Sequence, residues 1–161
     1  MFSIKSSLAD CSKCELLDEN SCILETNCRA DLSKVELVII AENPGKDEVK
    51  DGKPLVGKAG KTFRKYFNQF NLNKIPYLIT NVVLCQTIDK ETGNTINPTE
   101  EVIERCKVNC FDLIEKCNPK LIVVMGASGA KAFGIIKKGG SGITTLRGKI
   151  YEWNERNIFL N

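Results

Sequence analysis

Two thiols separated by two residues, Cys11-Ser12-Lys13-Cys14, form the strongest local chemical signal in the chain. That spacing lets both sulfurs face one metal ion or cluster, so the pair reads as half of a four-thiolate site. A thioredoxin-type redox pair has the same spacing, but it follows a strand and opens a helix. Here the motif precedes the first strand-like segment, which favours ligation. The chain has eight cysteines, and the other six compete for the remaining ligand places. Cys106, Cys110 and Cys117 fall near one stripe of a predicted helix, where small buried thiols are the ordinary outcome. Cys85 stands at a strand end, a better ligand position. Cys22 and Cys28 lie in an irregular segment, as ligands or as packed side chains. The chain has no histidine. That excludes Ser-His-Asp triads, HExxH zinc sites and fingers built on two histidines.

A second signal is Ala41-Glu42-Asn43-Pro44-Gly45, a strand that stops at a polar Pro-Gly turn. Such a turn presents side chains and backbone N–H groups at the mouth of a crevice, although by itself it is an ordinary strand-to-loop connection. Gly52, Gly57 and Gly60 match neither GxGxxG nor the P-loop pattern. Gly57-Lys58-Ala59-Gly60-Lys61 instead reads as a glycine-punctuated helix start with a basic flank, able to meet a phosphate or simply to be solvated.

The elements that must position these residues alternate between strand and helix. Val35–Ala41, Tyr77–Leu84 and Leu121–Gly126 are short β-branched runs that read as buried strands. Lys46–Lys53 reads as a polar loop, and Ala59–Phe70 as an amphipathic helix carrying Phe63, Tyr66, Phe67 and Phe70 at helical spacing. Gln86–Asn97 reads as a loop. Thr99-Glu100-Glu101 opens a long helix that ends near Asn118, because Pro119 cannot continue it. A short helix over Ser128–Phe133 follows, then a flexible turn at Gly139–Gly142. Lys149–Trp153 with Ile158–Leu160 reads as a terminal hairpin. Near-continuous apolar strands separated by helices predict an α/β fold, a three-layer α/β/α sandwich around a mostly parallel sheet covered on both faces. Ligands in such sheets bind beyond the carboxyl ends of the strands. The loop after Ala41, the segment Asn81–Cys85 and the turn after Met125 should therefore meet around one crevice.

Composition bounds the rest. The 161 residues, 42% apolar and 27% charged, read as a single domain over 1–161, and a net charge of +3 permits a nucleic-acid partner without requiring one. No apolar run approaches the roughly 18 residues a membrane span needs. The opening Met1-Phe2-Ser3-Ile4-Lys5 lacks the pattern of a secretory signal, so the expected compartment is a reducing, cytoplasmic one with no membrane partner.

Taken in order, these motifs resemble the family 4, iron–sulfur branch of the uracil-DNA glycosylases. That family runs CxxC, then GEAPG or GEGPG, then G-x-P-F-V-G-x-A-G, then TNVVKC, a P-T-x-E-E helix carrying the fourth cysteine, and a strand ending in LG. This chain offers Cys11 to Cys14, Ala41 to Gly45, Gly52-Lys53-Pro54-Leu55-Val56-Gly57-Lys58-Ala59-Gly60, and Thr80-Asn81-Val82-Val83-Leu84-Cys85. Pro98-Thr99-Glu100-Glu101 leading to Cys106, then Val123-Val124-Met125-Gly126, and Arg147-Gly148-Lys149 complete the series.

The resemblance implies a uracil-DNA glycosylase of the base-excision repair class, a hydrolase that flips uracil out of DNA and cleaves its N-glycosidic bond. It implies that Cys11, Cys14, Cys85 and Cys106 hold a structural [4Fe–4S] cluster, zinc being the alternative on spacing alone, with Cys110 a substitute for Cys106 one helical turn on. Cys22, Cys28, Cys110 and Cys117 are then packing residues. It implies that Asn81 pairs with the edge of the base, donating to O4 and accepting from N3–H, while Glu42, Asn43 and Pro44 line the pocket. Asn43 stands where the family has a small residue and resembles the asparagine that orients attacking water in G-M-N-P-G and G-I-N-P-G glycosylases. Glu48 falls on an acidic loop position that assists. Lys58, Lys61, Arg64 and Arg147 are the candidates for phosphate contact, and DNA containing uracil is the expected partner of a monomer.

The chain departs from the family at two places. Leu55 replaces a phenylalanine that stacks on the base, at a cost of about 1–3 kcal/mol. The family's H-P-S motif, whose histidine donates to uracil O2, is expected after the last strand, where the sequence reads Ile158-Phe159-Leu160-Asn161. Loss of such a donor costs about 100-fold or more. These departures leave three expectations: an active glycosylase compensated by Asn43, a non-catalytic DNA- or protein-binding module, or a fragment of a longer glycosylase. A zinc-stapled regulatory domain binding a small molecule is the unrelated alternative.

Overall fold

The computed structural model describes residues 11, 14, 16, 23–28, 31–89 and 91–161. Met1 to Lys5 and Cys22, read above as lacking a signal pattern and as a packing residue, lie outside these.

Six strands form one sheet in the order β1-β3-β2-β4-β6-β5, where β1 is Glu25–Thr26, β2 Leu37–Ala41, β3 Tyr77–Asn81, β4 Leu121–Val124, β5 Lys149–Trp153 and β6 Arg156–Leu160. The inner four, β3, β2, β4 and β6, run parallel; β1 and β5 close the edges antiparallel. The predicted terminal hairpin is the β5–β6 pair. The edge strand β1 has no legible pattern, because two residues are too few to show a period.

Side chains alternate across the sheet as the pleat requires. Val38, Ile40, Leu78, Ile122, Val124, Ile158 and Leu160 pack on one face with Ile103, Cys110, Leu113, Ile114 and Cys117 of helix α3, Glu100–Cys117. Leu37, Ile39 and Ile79 pack on the other with Phe67 of helix α2, Lys58–Gln69. Helices thus cover both faces, although beside α2 an apolar groove of about 640 Å³ stays open, with Tyr66 and Phe70 exposed along it. Helix α3 starts and stops where expected. Thr99 Oγ1 accepts from the Val102 N–H at 3.3 Å, and Asn118 takes a left-handed cap at φ 47° just before Pro119.

Two predicted loops carry structure. Lys46–Asp51 is a helix, α1, because the Glu48 carboxylate reaches back to the Gly45 N–H at 3.1 Å and Gly52 ends it with φ 62°. The segment after Cys85 folds into a small hairpin through an antiparallel bridge between Ile88 and Thr95. The second strand is shorter than read. It stops at Asn81, after which the Val82 and Val83 N–H groups turn to the carbonyls of Ala41 and Glu42 at 2.9 and 3.0 Å. Two short helices complete the chain, α4 at Ala127–Ala132 and α5 at Ile143–Leu146.

Candidate functional site

The carboxyl ends of β2, β3 and β4 converge on a polar cavity of about 390 Å³ lined by Glu42, Asn43, Leu55, Asn81 and Gly126, among others. The larger groove beside α2 is nearly all hydrocarbon, with Leu37, Ile39, Phe63 and Phe67 in its wall. Groups able to recognise a polar ligand gather in the smaller cavity, as the topology of a parallel sheet predicts.

Asn81 is the last residue of β3 and is 3% exposed. Its Nδ2 is fully buried and has no hydrogen-bond partner among the described residues. Buried polar nitrogens are nearly always paired, so an orphan amide in a cavity wall is a candidate donor to a ligand.

Glu42 and Asn43 follow β2, and both side chains are held from behind by residues the sequence did not single out. The Ser128 hydroxyl of α4 donates a short hydrogen bond to Glu42 Oε1. Gly126 sits beside the other oxygen at φ 86°, a backbone conformation that side-chain-bearing residues rarely adopt. Asn43 Nδ2 donates to Thr87 Oγ1 at 2.8 Å. Thr87 is 4% exposed in a segment that reads only as polar loop, so no sequence pattern marks it. Ser128 follows the predicted turn after Met125, and that position was its available signal. Pro44, expected to line the pocket, is buried and is not among the residues that line it.

Leu55 lines the cavity from a left-handed backbone conformation, φ 55°, that a branched residue rarely adopts. Groups on both sides of its loop hold it there. Glu48 Oε1 accepts from the Val56 and Gly57 N–H groups at 3.0 and 2.8 Å. On the other side the Arg64 guanidinium donates to the carbonyls of Pro54 at 2.6 Å and Leu55 at 2.9 Å. Gly60 makes room from below, since a Cβ on it would fall 2.1 Å from the Leu55 carbonyl carbon.

This loop bears on two expectations. Glu48 lines the same cavity, and its carboxylate accepts from three backbone N–H groups, so it also staples this loop. Arg64 is turned inward to those carbonyls and to Glu25, so it is not a surface contact for phosphate. Lys58, Lys61 and Arg147 are exposed.

The structure places Cys85 and Cys106 in one neighbourhood with Cys11. Burial pushes the Cys106 thiol up to about 11, with Cys85 and Cys11 adding to the effect against hydrogen bonds from Leu84 and Asn109. Those donors are the Leu84 backbone N–H, 3.3 Å from Cys106 Sγ, and Asn109 Nδ2 at 3.6 Å. Cys14 follows Cys11 in a tight turn, its N–H donating to the Cys11 carbonyl at 3.1 Å. Among the described residues no three Cys, Asp or Glu side chains converge as a site for a single metal ion. N–H donors aimed at a sulfur are nevertheless the surroundings in which a cluster thiolate is stabilised, so this donor set fits an iron–sulfur group. Cys110 and Cys117 are in the core, at 0% and 1% exposure, and burial pushes both thiols up. Cys28 is partly exposed beside Cys117.

No helix among the described residues is long and apolar enough to cross a membrane. A sequence profile of the Uracil DNA glycosylase superfamily matches residues 30–159. The Type-4 uracil-DNA glycosylase of Sulfurisphaera tokodaii is 32% identical over 154 residues, which cover 93% of this chain and 66% of that protein. The protein of the same name from Saccharolobus solfataricus is 32% identical over 155 residues, 94% of this chain and 67% of its own length. That from Archaeoglobus fulgidus is 32% identical over 120 residues, 74% and 58% respectively. The chain therefore spans about two thirds or less of the length of these relatives.

Proposed function

The chain belongs to the uracil-DNA glycosylase superfamily, and from that premise we propose that it excises uracil from DNA as a repair hydrolase. The observation that carries this reading is the orphan Nδ2 of Asn81, buried in the wall of a cavity with Asn43 beside it. A carboxamide fixed there donates through Nδ2 to uracil O4 and accepts from N3–H through its oxygen. Cytosine presents a donor and a bare ring nitrogen at the same two positions, so the pairing rejects it.

Entry requires the nucleotide to leave the base stack, because the cavity admits a single flipped base and not a duplex. Leu55 then offers an aliphatic surface to the base. Asn43 holds a water on the sugar side. The C1′–N1 bond breaks with its electron pair leaving on uracil as an anion, the water oxygen bonds to C1′, and the displaced proton passes to solvent. Glu42, anchored by Ser128, places a negative charge beside the sugar cation that forms in between. Cys11, Cys14, Cys85 and Cys106 are the residues that would hold a [4Fe–4S] cluster, whose chemistry here would be structural cross-linking of the N-terminal segment to the segment after β3 and to α3. DNA is the partner, met through exposed bases such as Lys58, Lys61 and Arg147.

The test is uracil release from a single-stranded oligonucleotide by anaerobically purified protein, beside Asn43→Ala and Asn81→Ala. Release by the parent and a loss of about 100-fold or more in each variant is the expected result. No release by cluster-loaded protein at stoichiometric amounts would overturn the enzyme reading and leave a binding module of this fold.

A further inference from the structure

Asn43 and Thr87 lie 44 positions apart in the chain and share one hydrogen bond, and its direction is fixed by a third group. The Thr87 hydroxyl donates its single proton to the Ile96 carbonyl across the small hairpin. The Ile96 N–H returns to the Thr87 carbonyl at 3.0 Å, so the two residues are paired by backbone and side chain together. With its proton spent on Ile96, Thr87 Oγ1 can only accept. The Asn43 carboxamide must then present Nδ2 to it, at 2.8 Å, and turn Oδ1 the other way. A carboxamide is nearly symmetric in shape, and nothing but such a partner decides which end faces a site.

We infer that Thr87 is a positioning residue, which sets the Asn43 carboxamide with its oxygen available to the cavity as an acceptor. The inference rests on the glycosylase reading for its chemical consequence, since an attacking water must donate a proton to that oxygen to aim a lone pair at C1′. Reversed, Asn43 would offer N–H groups to one lone pair of the same water and no acceptor for its O–H, which leaves the water unaimed and less nucleophilic. The hairpin that follows Cys85 thereby acquires a task, to hold Thr87 under Asn43 from a segment that contributes nothing to the sheet. Its turn is closed by the Asp89 carboxylate, which accepts from the Thr92 N–H at 2.7 Å and from the Thr92 hydroxyl at 2.8 Å.

The experiment compares Thr87→Val, which keeps shape and loses the hydroxyl, with Thr87→Ser, which keeps the hydroxyl. Two readouts are taken. The first is the side-chain amide resonance of Asn43, identified by its disappearance in Asn43→Ala; it requires no activity. The expected result is a shifted, faster-exchanging resonance in Thr87→Val and a near-parental one in Thr87→Ser. An unchanged resonance in Thr87→Val overturns the inference. The second is single-turnover uracil release. The expected result is about a tenfold slower step in Thr87→Val with unchanged affinity for uracil-containing DNA, the size of one misdirected neutral hydrogen bond. Rescue in Thr87→Ser, and no further loss when Thr87→Val is added to Asn43→Ala, complete it. An equal loss in the Asn43→Ala background, or a loss of affinity alone, overturns it. A parent protein that releases no uracil would sink the glycosylase reading, while the amide resonance still decides the Thr87–Asn43 pairing.

Discussion

Arg64 and Glu25 meet in a two-pronged ion pair, Nη1 to Oε1 at 3.0 Å and Nη2 to Oε2 at 2.7 Å, and the same guanidinium holds two carbonyls of the loop that carries Leu55. The pair is largely shielded, with side chains 26% and 21% exposed, so removing one partner strands the other. Arg64→Ala should cost about 2 kcal/mol, between the values for surface and buried pairs. Because the lost contacts shape a cavity wall and touch no reacting atom, the variant should raise KM for uracil-containing DNA more than it lowers kcat. Steady-state kinetics and chemical denaturation check both halves.

Gly60→Ala should be among the most damaging single methyl groups in the chain. Its Cβ would lie 2.1 Å from backbone carbon, which cannot swing aside. A cost of at least ~3 kcal/mol follows, or a fall in Tm of roughly 6–12 °C. Gly57→Ala is the comparison. There the new Cβ meets the Glu48 carboxylate at 3.1 Å, a tight side-chain contact that a small shift relieves, where Gly60 would need backbone to move. Thermal melts of the two variants should rank Gly60→Ala well below Gly57→Ala.

Asn81→Leu should gain stability while it loses function. The substitution replaces a buried nitrogen that has no partner among the described residues by a larger hydrocarbon of the same branched shape, for which the adjoining cavity leaves room. Relief of that group should contribute about 1 kcal/mol, a rise in Tm of roughly 2–4 °C. A fall in Tm would show that the amide is satisfied in the folded protein.

Stability should decline at both extremes of pH through one cluster. Burial raises the Glu25 carboxyl, but hydrogen bonds from Arg64 and Tyr77 and the nearby guanidinium charge outweigh it and leave the group below its ordinary value of 4.5. Its contribution is complete above that value and is lost as pH falls through the lower, folded one. Tyr77 runs the other way: burial, then its hydrogen bond to Glu25, push the phenol up to about 12. Its contribution is complete below the ordinary 10.0 and is lost as pH rises toward about 12. Glu25→Gln should flatten the acid limb of a stability profile and Tyr77→Phe the alkaline limb.

Cys106 and Cys110 should separate cleanly in metal content. Cys106→Ser should lose iron, sulfide and visible absorbance from anaerobically purified protein. Cys110→Ala should keep all three and lose about 1 kcal/mol of core packing. One zinc per chain without iron or sulfide would overturn the cluster reading.

Much of this site was legible because parallel sheets leave local marks. The apolar runs Val35–Ala41 and Leu121–Gly126 contain the strands Leu37–Ala41 and Leu121–Val124, Thr99 and Pro119 bracketed α3, and the strand ends located the cavity that holds Glu42, Asn43 and Asn81. Those features depend on side-chain period and on residues adjacent in sequence, so the chain announces them. The partners of these residues are another matter. Thr87 reaches Asn43 across 44 positions, Ser128 reaches Glu42 across 86, and Arg64 reaches Glu25 across 39. No period or motif encodes such a pairing, because only the closed sheet sets the distance and direction between two hydrogen-bonding groups. The same physics turned Arg64 from an expected phosphate contact into a support and tied Glu48 to three backbone N–H groups. By itself a sequence shows that a charge exists, whereas what it faces is decided when the backbone N–H and carbonyl groups of residues 54–57 fold against it.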